Sequence, residues 1–246
     1  MFIDGKKSNH ILDTMQPDER ARLALVIERV QMPLGEVIHE TGAPQTYVYF
    51  PIDCIVSLLY VLENGDTAEV AIVGNDGLVG MPVITGGSRS PHRATVQAAG
   101  FAFRMPAKNL RAEFERGGPA QQILLRYSQA LMILIGQTAV CNRHHNLDQQ
   151  LCRWLLTSID RLPGNDLSMT QELIANMLGV RREGVTSAAG KLQKIGVISY
   201  QRGRITVLDR AKLEALSCEC YETMRSEYTR LLPWDTTAIA NPLSAE

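Results

Sequence analysis

The chain has 246 residues, 45% of them hydrophobic and 21% charged, with a formal net charge of −1. That is ordinary globular composition, which excludes a disordered, collagenous or coiled-coil array, and at ~150 residues per domain it allows one or two domains. The neutral average also argues against the uniformly basic surface that many nucleic-acid binders carry.

The opening MFIDGKKSNH lacks an apolar stretch of signal-peptide length. The longest uninterrupted aliphatic run, Ala130 to Ile135, falls well short of the ~20 residues of a membrane helix. A cytoplasmic protein with no membrane partner is the expectation. Up to about residue 105 the chain is rich in β-branched and aromatic residues punctuated by glycine. TYVYF (46–50), CIVSLLYVL (54–62), EVAIV (69–73) and RATVQA (93–98) read as strands. Asn64-Gly65 between the second and third predicts a two-residue hairpin turn, because both positions accept positive φ. Short strands with such turns suggest an antiparallel sandwich or barrel.

From about Pro119 to Cys141 a helix is predicted. Leu124, Leu131 and Thr138 recur at seven, with Tyr127 and Leu134 between them, a coiled-coil-like seam over about two heptads. Apolar residues occupy other faces too, so the helix should pack on its own domain and offer a stripe to a second copy. An ordinary buried core helix is the alternative. Next, Asn146 with Gln149 three residues on forms a capping-box pattern. The helix it opens carries Leu151, Trp154, Leu155 and Ile159 on its apolar face and stops at Pro163-Gly164.

Thr170 to Gly196 is the most informative segment. Thr170 suits an N-cap, Ile174 and Leu178 form an apolar row, and Ala175 and Gly179 fit a close helix crossing and a left-handed turn. Val180, Val185 and Ala188 supply the inward face of a second helix. This is a helix-turn-helix, and the strands of VISYQRGRITVLD (197–209), joined at Arg202-Gly203, are its β-hairpin wing. Asp209 then caps a further helix. The candidate DNA-binding residues are Thr170, Gln171, Arg181, Arg182, Glu183, Thr186, Ser187, Lys191, Arg202 and Arg204. Arginine holds guanine O6 and N7 bidentately and glutamate accepts from cytosine N4, so Arg182-Glu183 suits a G·C pair. Thr186 and Ser187 can reach bases or phosphate, whereas Lys191, Lys194, Arg202 and Arg204 suit phosphate oxygens, which position without specifying sequence. A helix-turn-helix used only for protein contacts is the competing interpretation.

The order β-rich domain, long helix, winged helix resembles the Crp–Fnr family of dimeric bacterial transcription regulators. Residues 20–232 carry the resemblance, above all LGVRREGVT (178–186), with LGEVIHETG (34–42) and Tyr49-Phe50-Pro51 similar to the opening of that family's cyclic-nucleotide-binding β-roll. The resemblance implies an α+β chain: an N-terminal antiparallel, jelly-roll-like β-roll over 1–118, a dimerisation helix and hinge over 119–145, and a winged helix-turn-helix with a helical tail over 146–246. It further implies a homodimer on a pseudo-palindromic double-stranded operator with half-sites ~34 Å apart. RNA polymerase is a further candidate partner. Ser187 stands where many members carry a basic residue, which leaves the half-site preference open.

Cyclic-nucleotide binders of that family place a glutamate on the ribose and an arginine on the phosphate. Here Leu78 occupies the carboxylate position when Gly77-Leu78-Val79-Gly80 is aligned, and His92 the arginine position, with Arg93 one residue out of register. A one-residue offset in a strand turns a side chain to the other face, and neutral groups would compensate a buried phosphate poorly. A response to cyclic AMP is therefore not expected, and no cofactor is assigned.

The five cysteines, Cys54, Cys141, Cys152, Cys218 and Cys220, form no CxxC pair and no disulfide framework. Cys54 alone precedes Cys141, unlike the N-terminal clusters of the family's iron–sulfur sensors. Haem would need a ligand such as His39 or His92, and single histidines carry little ligand information. Cys141, His145, Asp148 and Cys152 would share one face of a continuous helix, but the break near Asn146 divides them. Buried cysteines at an interdomain junction are expected there, and no metal site. Cys218 and Cys220 would point about 200° apart on a helix.

Two other classes remain: a small-molecule-sensing module acting through a protein partner, and an enzyme, for which no P-loop, GxSxG or HExxH is present. The local charge favours DNA. Between Ser168 and Arg210 seven basic residues face three acidic ones, so this segment is +4 and the remainder −5.

Overall fold

The structure, a computed structural model, describes residues 9–87 and 89–232. Two short helices, α1 (His10–Thr14) and α2 (Pro17–Ala24), lead into seven strands: β1 (Glu28–Met32), β2 (Val37–His39), β3 (Tyr47–Pro51), β4 (Ile55–Val61), β5 (Thr67–Val73), β6 (Arg93–Ala98) and β7 (Gly100–Pro106). They pair antiparallel in two sheets, ordered β1-β7-β3 and β2-β6-β4-β5. Val48, Phe50, Val56, Leu58, Val96 and Met105 bury their side chains in the N-terminal core. Helices α3 (Ala107–Glu115) and α4 (Gly118–His144) follow. The C-terminal half comprises α5 (Leu147–Ile159), β8 (Asp166–Ser168), α6 (Gln171–Leu178), α7 (Arg182–Lys194), β9 (Ile198–Gln201), β10 (Arg204–Val207), α8 (Arg210–Leu216) and α9 (Glu219–Leu231). The expected α+β architecture, with its β-roll, long helix and winged helix-turn-helix, is therefore present.

The Asn64-Gly65 hairpin differs from expectation. Its loop has three residues, Glu63 to Gly65: Leu62 N–H donates to Asp66 O at 2.8 Å and Gly65 N–H to Leu62 O at 2.9 Å. Only Gly65 has positive φ, at 88°. Asn64 instead uses its side-chain oxygen to accept from Asp66 N–H at 3.1 Å, an Asx turn that removes the need for a left-handed asparagine.

Helix α4 sorts its apolar residues in a way the heptad count did not distinguish. Leu124, Tyr127, Leu131, Leu134 and Thr138 are all buried within this one chain, packed on the β-roll and α9. The row one residue over is open: Leu125 is 52% exposed, Met132 57% and Val140 48%. By length and composition α4 is also apolar enough to cross a membrane. The aliphatic run alone understates this, because serine, glutamine and threonine interrupt it without adding charge.

The two halves share polar contacts across their junction. Trp154 of α5 donates its indole N–H to the buried Glu69 of β5 at 2.9 Å. Arg161, just after α5, pairs with Asp76 of the β-roll at 2.6 Å, with both side chains buried. The end of the chain crosses the junction as well. Met224 and Tyr228 of α9, with Leu232 beyond it, belong to the N-terminal core.

Candidate nucleic-acid interface

Local signals set the helix-turn-helix. The Thr170 hydroxyl accepts from Leu173 N–H at 3.2 Å, capping α6. Gly179 ends that helix at φ 65°, ψ 36°, and Val180 N–H reaches back to Ala175 O at 3.0 Å. That six-to-one bond with a left-handed glycine is a Schellman motif, and it releases the chain for α7. Val185, Ala188, Ala189 and Leu192 bury one side of α7. At 100° per residue the opposite side carries Glu183, Thr186, Ser187, Gly190 and Lys194, all exposed.

Arg181 precedes α7 and makes no side-chain cap; Gly184 N–H donates to Arg181 O at 3.0 Å, and the positive end of the helix dipole favours an anion there. Arg182 lies on the flank facing the wing. It lines an open concavity with Thr170, Gln171, Tyr200, Arg202 and Gly203. Thr186 donates to Gln171 Oε1 at 2.6 Å, tying the recognition helix to the start of α6. Glu183, in the first turn of α7, also complements the helix dipole. Lys191 is on the other flank, where its ammonium pairs with Asp148 of α5 at 2.7 Å.

Wing geometry follows from one turn. Arg202 (φ 49°) and Gly203 (φ 77°) both have positive φ, as a two-residue type I′ connection between β9 and β10 requires. The sheet has a third strand that the sequence reading did not resolve: β8 pairs with β10, Arg204 opposite Ser168. Asp166 of β8 takes Arg204 at 2.6 Å and Thr206 at 2.5 Å, and these partners hold its carboxyl below the usual range. Tyr200 was not anticipated either. Half-buried in β9, it donates its hydroxyl to Met169 O at 2.8 Å and braces the wing against the start of α6. Its lone signal was an aromatic residue within a short polar strand.

Thr170, Gln171, Arg182 and Arg202 thus gather round one concavity. Arg181, Glu183, Thr186 and Ser187 continue from it at and along the start of α7, whereas Arg204, on the wing, and Lys191, on the far flank of α7, sit outside it in surface ion pairs. Exposed pairs of this kind are worth little and exchange readily for phosphate.

In the β-roll, Leu78 is 1% exposed and its carbonyl accepts from the Tyr127 hydroxyl at 3.1 Å. His92 stacks edge-on against Tyr60, ring centroids 4.6 Å apart, and burial lowers the pKa of both His92 and His39. Arg93 pairs at the surface with Glu40 at 2.8 Å, while the adjacent Ala94 is buried.

A β-roll joined by a long helix to an exposed, basic winged helix-turn-helix defines a DNA-binding transcription regulator. Comparison with known proteins agrees. Residues 149–216 match the Crp-like helix-turn-helix domain and residues 29–116 the cyclic nucleotide-binding domain. The chain belongs to the Crp–Fnr family. It is 27% identical over 218 residues to the global nitrogen regulator of Synechococcus elongatus, covering 83% of this chain and 96% of that protein. Its fold is similar to FixK2 from Bradyrhizobium japonicum (TM-score 0.66, 16% identity, 78% of this chain and 98% of that one). It is also similar to a transcriptional regulator of the CRP family from Thermus thermophilus (TM-score 0.63, 18% identity, 77% and 96%).

Proposed function

We propose that the chain acts as a cytoplasmic homodimer reading a pseudo-palindromic operator, one α7 per major groove, and that cyclic AMP does not control it. The division of labour is a sensor over 1–118, a dimerisation segment over 119–145 and a DNA-binding domain over 146–246. Residues 1–8 and 233–246 fall outside the described part of the chain. The observation that carries the reading is the open concavity between α7 and the wing, where Arg182 and Arg202 stand beside the capped start of α6. Arg182 and Glu183 read base edges; Thr170, Gln171, Thr186 and Ser187 support base or phosphate contacts; Arg181, Lys191, Arg202 and Arg204 hold phosphates.

Dimerisation is supported by the exposed row Leu125, Met132 and Val140 on α4. Gly136 lies on the same side, where an added Cβ would meet nothing within this chain. The absence of a cyclic AMP response is supported by the β-roll chemistry: Leu78 is buried, burial disfavours the charged form of His39 and His92, and Arg93 is turned to a surface pair with Glu40.

Selecting bound duplexes from a random pool with the full-length protein tests the reading. Recovery of an inverted repeat, with affinity falling steeply as salt rises, is expected. Arg182→Ala should cost ~1–3 kcal/mol at one base position and relax selectivity there. Equal losses on operator and scrambled duplex would show that Arg182 contacts only the backbone. Saturable cyclic AMP binding at physiological concentration would refute the sensor assignment.

A further inference from the structure

The end of α4 and the start of α9 meet in a cluster of sulfur and nitrogen. Cys141 Sγ lies 3.5 Å from Cys218 Sγ, and Cys220 Sγ lies 3.6 Å from His145 Nδ1. The four ligand atoms all fall within 4.8 Å of one another, with the three cysteines buried. We propose that Cys141, His145, Cys218 and Cys220 form a structural site for a thiolate-preferring divalent cation, with zinc as the fitting ion.

Three features support a metal over a patch of inert thiols. Spacing comes first: a tetrahedron with metal–sulfur bonds of about 2.3 Å has edges of about 3.7 Å, close to the measured pairs. An iron–sulfur cluster interposes several iron and sulfide atoms and needs its thiolates further apart. Second, His145 Nε2 lies 3.2 Å from the Glu219 carboxylate. A proton held on Nε2 by that carboxylate would leave the Nδ1 lone pair facing the thiols, the carboxylate–histidine arrangement found behind metal-bound imidazoles. A core of neutral cysteines would have no use for a polar nitrogen against its thiols. Third, charge balances. Binding Zn²⁺ displaces three thiol protons and leaves one net negative charge. The guanidinium of Arg153, buried on α5, carries the opposite charge, and its Nε has no hydrogen-bond partner among the described residues.

Chain geometry explains why the cluster is not apparent from spacing. His145 is extended at the end of α4 while its N–H still bonds Cys141 O at 3.0 Å. Cys218 is the extended residue before α9 (φ −89°, ψ 164°), so the 200° separation of a continuous helix does not apply. Asp148 and Cys152, on α5, do not join. Four protein ligands leave no open position, so the ion would be structural. It would clamp the end of the long helix to the segment that returns from the winged helix. This site does not depend on the DNA-binding reading.

Elemental analysis of untagged full-length protein is expected to find one zinc per chain, released in step with titration of its thiols by a mercurial. Cobalt substitution should give the intense ligand-field bands of a tetrahedral thiolate site. Glu219→Gln, at an exposed position, should keep the stoichiometry but weaken zinc binding about 10-fold or more. Cys220→Ser should lose the metal, while Cys152→Ser, a buried cysteine outside the cluster, should retain it. Reduced protein that takes up neither Zn²⁺ nor Co²⁺ would overturn the proposal. So would iron with inorganic sulfide in place of zinc, or full metal content in Cys220→Ser.

Discussion

Arg202 is the only non-glycine with positive φ among the described residues. Left-handed backbone costs a residue with a long side chain about 1 kcal/mol or more, and such strain persists where function holds it. Asparagine tolerates that region better. Arg202→Asn is therefore expected to raise stability in denaturant by roughly 0.5–1 kcal/mol. It should also weaken DNA binding and lower the salt slope by about one. A variant that is less stable, or that binds as before, would remove Arg202 from the phosphate contacts. Glu69 shows a different tension. Burial pushes its carboxyl from 4.5 up to about 7, against the lowering by Ser57 and Trp154. The folded chain keeps this proton at pH values where the unfolded chain has lost it. The stabilisation is complete below about 4.5 and is lost as pH rises through about 7. Glu69→Gln keeps an acceptor for Trp154 and cannot ionise. Its stability relative to the parent should grow by up to about 3 kcal/mol between pH 5 and 8, measured by denaturation. Parallel pH profiles would contradict this.

Among elements, those with signals inside a few residues were legible from sequence. The Asn146 capping box, the Thr170 cap, the Gly179 turn and the Arg202-Gly203 hairpin all have local chemistry, and each is present. Strands β1 and β8 are short and mostly exposed, so alternation cannot mark them; only their pairing partners create them. Helix α4 was visible as a helix, but a heptad count cannot say which of two adjacent rows meets its own chain. Met132→Glu tests the row left open. In the proposed dimer the new charge would face its copy across a two-fold axis, which should cost several kcal/mol of association and yield monomers by sedimentation, with the fold intact. A dimer of unchanged affinity would place the interface elsewhere. The candidate interface residues were legible as a set, because the helix-turn-helix pattern fixes their faces. Tyr200 and the partners of Lys191 and Arg204 were not, since each depends on a contact distant in sequence.

At the scale of the molecule, the opening neutrality hides a basic stretch, +4 between Ser168 and Arg210 against −5 over the rest of the chain, and the junction between the two halves is where distant residues meet. Trp154 with Glu69, and Arg161 with Asp76, are pairs that no local pattern foretells. The path of α9 is the largest such feature, carrying Met224, Tyr228 and Leu232 from the C-terminal half into the N-terminal core. A chain ending at Ser217 is accordingly expected to keep a cooperative winged helix while hydrogen exchange quickens through β4 and β6. Unchanged protection in those strands would show that the core is complete without α9. The order of synthesis gives this path a further meaning. The β-roll emerges from the ribosome before α9, which supplies Met224, Tyr228 and Leu232 to its core. The core of the β-roll is therefore completed only after the winged helix has been synthesised.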